Sequence, residues 1–247
     1  MLMKVKREIA SLFSWRKTVL FLIGTVLCIH AIMTDYIKGY EGTDLCEFTI
    51  FFLTNEYIIL MLVGMAVIIL SSDKYGFQNR YVILIRYRSR FEFYVVNLCA
   101  KMVYAAGCVA TVTILMIGLG KYSGLAQQPA VLYVQVSYGI VVKQCLNILG
   151  YAVLIVTVSS LLNILIQHKT LDVLVMMGVP LFNLVAMKGG MYRIERWLPW
   201  QKIAFELHGW ERNNYRFYWE YWLMLIVLCF YLGERLFSDK DMIYENL

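Results

Sequence analysis

Four charged side chains stand inside long apolar runs and are the first candidates for chemistry: Glu56, Lys101, Lys143 and Glu220. A charge at membrane depth is costly, so it usually pairs, lines a path or holds a charged part of a substrate. The sequence therefore predicts a tentative substrate path at these residues, with an ion pair between Glu56 and Lys143 if their helices are neighbours. The alternative is that both lysine side chains extend to the nearby membrane surface and that Glu220 is interfacial.

The residue types needed for catalysis or metal binding do not form recognisable motifs. The segment GLGKYSG, residues 118–124, has the glycines and lysine of a phosphate-binding loop, but Leu115 and Tyr122 stand where that loop needs glycine and serine or threonine. It is better interpreted as the exit from an apolar helix. The three histidines are far apart, and the six cysteines include no C-x-x-C pair. We expect no enzyme activity, and no metal or cofactor bound by this chain.

The composition is that of an integral membrane protein. The 247 residues are 60% hydrophobic and 16% charged, whereas about a quarter of a soluble domain is charged. The mean hydropathy is +0.63. The apolar residues cluster into runs of about 20, the length that crosses a bilayer as a helix.

These runs predict an all-α integral membrane protein with six transmembrane helices, in a single domain over residues 18–247. The predicted spans are Val19–Met33, Ile50–Leu70, Phe93–Leu119, Tyr138–Ile166, Leu171–Met187 and Phe217–Phe237. Of the 23 lysines and arginines, thirteen lie on the side of the membrane that holds both termini and eight lie on the other side. The remaining two lie inside spans. The positive-inside rule then places both termini in the cytoplasm. A re-entrant fifth segment broken at Pro180 remains an alternative, because the loop after it carries six of the eight outside charges.

Residues 1–17 predict an amphipathic helix that lies in the plane of the headgroups. Its apolar positions follow helical spacing and are Leu2, Val5, Ile9, Leu12 and Phe13. Much of the remaining surface is basic, which suits contact with anionic lipid. A signal peptide is the alternative, although no small-residue cleavage site follows cleanly.

A basic and aromatic segment, SSDKYGFQNRYVILIRYRSRFEFY, joins the second and third predicted spans over residues 71–94. Membrane spans on both sides hold it at the headgroups, which disfavours nucleic acid and leaves lipid or a protein as its partner. Alternating apolar and charged residues from Ile85 allow a short strand. A helix is preferred, because it places Arg86 with Arg90 and Arg88 with Glu92 on successive turns.

This layout of arm, spans and loops resembles the membrane subunit of ABC exporters of the ABC-2 type. The likeness is greatest to the short permeases of Gram-positive bacteria, of the phenol-soluble-modulin or lantibiotic-immunity type. The family has an acidic residue in this segment, followed by a glycine, an aliphatic pair, an arginine and a lysine. The corresponding residues here are Asp73, Gly76, Ile83-Leu84, Arg90 and Lys101, although the family's proline is missing. Residues 196–210, RWLPWQKIAFELHGW, correspond to its short extracellular helices between the fifth and sixth spans.

The resemblance implies a cytoplasmic coupling helix between the second and third spans, which docks on a separate ATPase. The residues expected to make that contact are Asp73, Lys74, Gly76, Phe77, Tyr81, Arg86, Arg88 and Arg90. ATP and Mg²⁺ would be bound by two cytoplasmic ATPase subunits. A second permease subunit, identical or related, would complete the pathway in a bacterial cell membrane.

The expected function is export of amphipathic or hydrophobic peptides, such as toxins or antimicrobial peptides. Two alternatives remain at this point. One is a peptide-sensing or immunity subunit that binds without full translocation. The other is an ion-coupled secondary transporter, for which the two halves show no internal repeat.

Overall fold

A computed structural model describes residues 2–40, 45–54, 58, 61–62, 64–65, 87, 89–125, 138–166, 174, 178, 199–202 and 217–239. Within them the regular structure is entirely helical, which confirms the all-α class there. The α-helices are α1 (Leu2–Leu12), α2 (Trp15–Tyr40), α3 (Leu45–Thr54), α4 (Arg90–Tyr122), α5 (Tyr138–Ile166) and α6 (Trp219–Asp239). A 3₁₀ helix occupies Pro199–Lys202.

Within the described part of the chain, three stretches are long and apolar enough to cross a membrane: Trp15–Lys38, Arg90–Tyr122 and Gly139–Leu162. They contain the first, third and most of the fourth predicted spans. The sixth predicted span lies mainly on α6, and the second includes part of α3 and the helical residues 58, 61, 62, 64 and 65. Only residues 174 and 178 of the fifth are described, and both are helical.

Both ends of α4 are set by local hydrogen bonds. Ser89 is the N-cap, and its hydroxyl accepts a hydrogen bond of 3.1 Å from the backbone N–H of Glu92. At the other end, Gly124 has a φ of +83°, a conformation that glycine adopts without steric cost. The N–H groups of Gly124 and Leu125 bond to the carbonyls of Lys121 and Gly120, which is the Schellman arrangement. The segment GLGKYSG is therefore a helix exit, as its sequence predicted.

Helix α5 lies at the centre of the packing. In its most apolar stretch 56% is buried, against 22% in α4 and 24% in α2. It packs against α6, α4 and α3, whereas α1 packs against α4. Because helices in lipid gain little from the hydrophobic effect, close contact and polar bonds between them carry much of their association.

The contacts sort the helix ends into two groups. Phe237, near the end of α6, stacks on Tyr94 and on Phe93 at the start of α4, with ring centroids 5.9 Å apart in each pair. At the opposite end, a Cβ on Gly120 of α4 would lie 2.6 Å from the side chain of Leu45, the first residue of α3. The end of α6 therefore lies beside the start of α4, and the start of α3 lies beside the other end of α4.

Candidate functional site

A polar junction holds α1 against the start of α4. The Lys4 ammonium lies 2.7 Å from Oε1 of Glu92, and the Tyr87 hydroxyl donates a 2.8 Å hydrogen bond to Oε1 of Glu8. The same ammonium lies 4.9 Å from the centre of the Tyr87 ring. These four side chains, called the junction below, join the N-terminal arm to the point where the basic segment enters α4.

The junction is partly shielded from water. Glu8 is only 8% exposed, and the hydroxyl of Ser11 donates to its backbone carbonyl at 2.7 Å. Burial, and next the hydrogen bond to Glu8, raise the pKa of Tyr87 well above its usual range. The phenol therefore stays protonated and remains a donor at neutral pH. The ion pair between Lys4 and Glu92 is more exposed and contributes about 1 kcal/mol or less.

Glu92 has two roles at the start of α4. Its backbone N–H is capped by Ser89, and its carboxylate lies in the first turn, where negative charge is favoured by the helix dipole. Helix α4 begins at Arg90, because Ser89 has an extended backbone, and Arg88 of the predicted pair with Glu92 lies outside the described residues. Lys4 of α1 supplies a cation to Glu92.

The arm forms a helix, but its buried face differs from the predicted apolar face. Leu12 is buried, whereas Val5 and Ile9 are half-buried. Phe13 lies beyond the end of α1 and is 52% exposed. Glu8 is buried where the sequence pattern predicted Phe13. Its negative charge is the sequence signal, since Glu8 is the one acidic residue beside five basic residues in the sequence 1–17.

Of the predicted ATPase-coupling residues, the structure describes only Arg90, the half-buried first residue of α4. The other seven lie outside the described residues: Asp73, Lys74, Gly76, Phe77, Tyr81, Arg86 and Arg88. Tyr87, which the coupling prediction omitted, is placed by its bond to Glu8.

The predicted substrate-path residues have different surroundings. Lys101 is 3% exposed on the packed face of α4, so its side chain does not extend to the surface. Lys143 and Glu220 are exposed, which fits the alternative of interfacial charges. Glu56, and with it the proposed pair with Lys143, lies outside the described residues.

Asn147 of α5 is hydrogen-bonded to the start of α6, although it is not among the predicted site residues. The Asn147 Oδ1 accepts hydrogen bonds from the Tyr218 backbone N–H and from the Trp222 indole N–H, both of 3.1 Å. Asn147 is fully buried, and a Cβ on Gly150 would lie 2.7 Å from the Trp222 ring. An amide inside an apolar run is the signal that indicates this residue, because buried polar groups in membranes need partners.

A second buried amide links α5 to α3. The Gln144 side chain is 0% exposed, and its Nε2 donates a 3.3 Å hydrogen bond to the Leu53 backbone carbonyl. The bond therefore joins the buried face of α5 to the backbone of α3.

A small apolar crevice lies between α2, α4, α5 and residues of the second predicted span. Its lining includes Phe21, Met61, Met65, Cys108 and Val112. Unbranched methionines adapt to varied apolar shapes. The lining side chains that the structure describes carry no charge, and the crevice would have to widen to hold a chain segment.

Among the described residues, no group of three or more His, Cys, Asp or Glu side chains is placed to hold a metal ion. Comparisons with protein families, curated proteins and solved structures found no match to this chain.

Proposed function

We propose that this chain is the membrane-spanning subunit of an ATP-driven exporter of amphipathic or hydrophobic peptides. A separate pair of ATPase subunits binds ATP and Mg²⁺, and a second permease subunit completes the path. The full proposal has six spans, both termini in the cytoplasm and a location in a bacterial cell membrane. Its family assignment rests on the resemblance of the sequence layout to ABC-2 permeases.

The observation that carries the proposal is the junction between α1 and α4. An exporter needs a rigid connection between the segment that meets the ATPase and the helices that form the path. The basic segment enters α4 at Arg90, and the bonds of Tyr87 and Glu92 secure this point to α1. A push on the segment is therefore transferred to α4 and the arm together.

From α4 the motion has a packed route to the rest of the bundle. The Tyr94 ring meets Phe230 and Phe237 of α6. Helix α6 is in turn bonded to Asn147 of α5. Packed elements with two discrete arrangements convert a local push into a rigid-body change.

Lys101 is the proposed contact for a charged group of the peptide. It lies eleven residues after Arg90, or about 16 Å along the helix. Buried ionisable residues at membrane depth commonly mark substrate pathways. The apolar crevice would have to widen to accept a hydrophobic side chain of the same peptide, and its methionines make that lining adaptable.

The first experiment tests ATPase coupling with the acidic substitutions Tyr81→Glu and Arg88→Glu. The ATPase that co-purifies with the parent chain should be recovered at a lower yield, while the amount of chain in the membrane stays the same. Lys121→Glu is the control, because this exposed residue lies at the far end of α4. Unchanged recovery of the ATPase with both variants would refute the coupling assignment.

The second experiment separates export from sensing. Vesicles carry the chain with its ATPase on the outer face, and a fluorescent amphipathic peptide and ATP are both added outside, on the ATPase side. Export predicts ATP-dependent movement of the peptide across the bilayer. Saturable binding without movement would favour the sensing alternative, and movement driven by an ion gradient without ATP would favour a secondary transporter.

A further inference from the structure

The side of α1 that faces away from α4 carries a second kind of surface. Met3, Lys6, Arg7 and Ala10 are all exposed, and their spacing of three and four residues places them on one helical face. Lys4, on the other side, is engaged by Glu92. Helix α1 therefore separates its three cations into one that bonds to the protein and two that are exposed.

Exposed aromatic and basic residues continue this surface at the start of α2. Phe13 is 52% exposed and Trp15 is 72% exposed, beside the exposed Arg16. Only residues 13 and 14 separate the two helices. Since α2 is long enough to cross a bilayer, its first turn lies at headgroup level, where tryptophan and basic side chains are favoured.

We propose that α1 is a sensor of headgroup charge, and that anionic phospholipids stabilise its docked position on α4. Lys6, Arg7 and Arg16 bind the headgroups, while Glu8 and Lys4 bind the protein. The docked arm holds its cations beside those of α2, so several headgroup contacts form at once. The surface charge of the leaflet thereby sets how firmly the start of α4 is held.

A lipid shifts this equilibrium only by its difference in affinity for the docked and undocked arm. A basic residue near an anionic surface contributes about 1 kcal/mol, or about fivefold in affinity. Removal of both Lys6 and Arg7 should then reduce the effect of lipid charge by up to about 25-fold. Salt should weaken it as well, because exposed charges are screened. The proposal does not depend on what the chain transports.

The test measures amide hydrogen exchange of the full chain in nanodiscs of phosphatidylcholine, with and without phosphatidylglycerol. The informative amides are those in the first turn of α4, residues 90–93, because lipid contact with the arm alone does not protect them. Their exchange should slow when phosphatidylglycerol is present. The double variant Lys6→Gln/Arg7→Gln should lose most of this difference.

Two further variants separate the faces of α1. Glu8→Leu should speed exchange at the start of α4 in both lipids, and Glu8→Gln, which retains an acceptor for Tyr87, should restore much of the protection. Lys121→Gln removes an exposed charge at the far end of α4 and should leave the lipid response unchanged. Equal exchange of residues 90–93 in the two lipids would overturn the proposal, as would a full lipid response in Lys6→Gln/Arg7→Gln.

Discussion

Replacement of Asn147 by leucine should destabilise the contact between α5 and α6. Leucine has a similar size, but it removes the acceptor shared by the Trp222 indole and the Tyr218 backbone. Trp222 is 2% exposed, so its N–H loses its bond where water does not replace it.

The magnitude follows from the surroundings of the two donors. A buried donor without a partner costs about 1–3 kcal/mol, which applies to Trp222. Tyr218 is half-buried at the start of α6, where water can reach its N–H. The loss there should be closer to the average interhelical bond in a membrane protein, about 0.6 kcal/mol. We expect a total of about 2–3 kcal/mol.

The assay is equilibrium unfolding by denaturing detergent in mixed micelles, with a double-mutant cycle of Asn147→Leu and Trp222→Phe. Phenylalanine keeps an aromatic ring near Gly150 but removes the indole N–H. The two changes should be coupled by about 1 kcal/mol. Additivity within about 0.5 kcal/mol would refute the hydrogen bond. Asn97→Leu, at a half-buried position of α4, is the matched control and should change stability by about 0.5 kcal/mol or less.

Three other predictions concern different parts of the bundle. Because the pKa of Tyr87 is raised in the docked arm, docking should be complete below the ordinary tyrosine pKa of about 10 and should weaken at higher pH. The measure is the protection of the α1 amides relative to their intrinsic exchange rate at the same pH, because hydroxide itself speeds exchange, and Tyr87→Phe should lose less protection over this range than the parent chain. Gly150→Ala should lower the free energy of unfolding by about 1–3 kcal/mol, because its Cβ would meet the Trp222 ring. Gly107→Ala is the control in the same assay and should be neutral or stabilising, because no atom lies within 4 Å of its Cβ position. Lys101→Met should reduce peptide movement in the vesicle assay at least tenfold while the chain still inserts; unchanged transport would remove Lys101 from the path.

The helices could be predicted from the sequence because apolar runs of span length have few alternatives in lipid. The fourth predicted span, Tyr138–Ile166, coincides with α5. The third predicted span begins at Phe93, three residues inside α4, because hydropathy follows apolar residues. Ser89 and Glu92 show the S-x-x-E pattern of a helix start, and this pattern marks the boundary more closely.

The contacts between helices could not be predicted in the same way. Periodicity places Val5, Ile9 and Leu12 on one face of the arm, but it does not indicate that the partner surface is polar. Glu8 is buried because it meets Tyr87 in the fold, although the two residues lie 79 positions apart in the sequence. Asn147 likewise depends on Trp222, 75 positions away. A single sequence contains the residues of such pairs but not their proximity.

Two close contacts lie at opposite ends of α6, and this arrangement constrains how the bundle can move. Asn147 holds the start of α6 to α5, and Gly233 near its other end packs directly against Tyr94 of α4. Helices α4, α5 and α6 are therefore expected to move together. The apolar crevice borders this group and α2, and unfilled space accommodates a relative shift more readily than a close-packed contact does. A push at the junction should accordingly be taken up between α2 and the other three helices, on the side where the crevice lies.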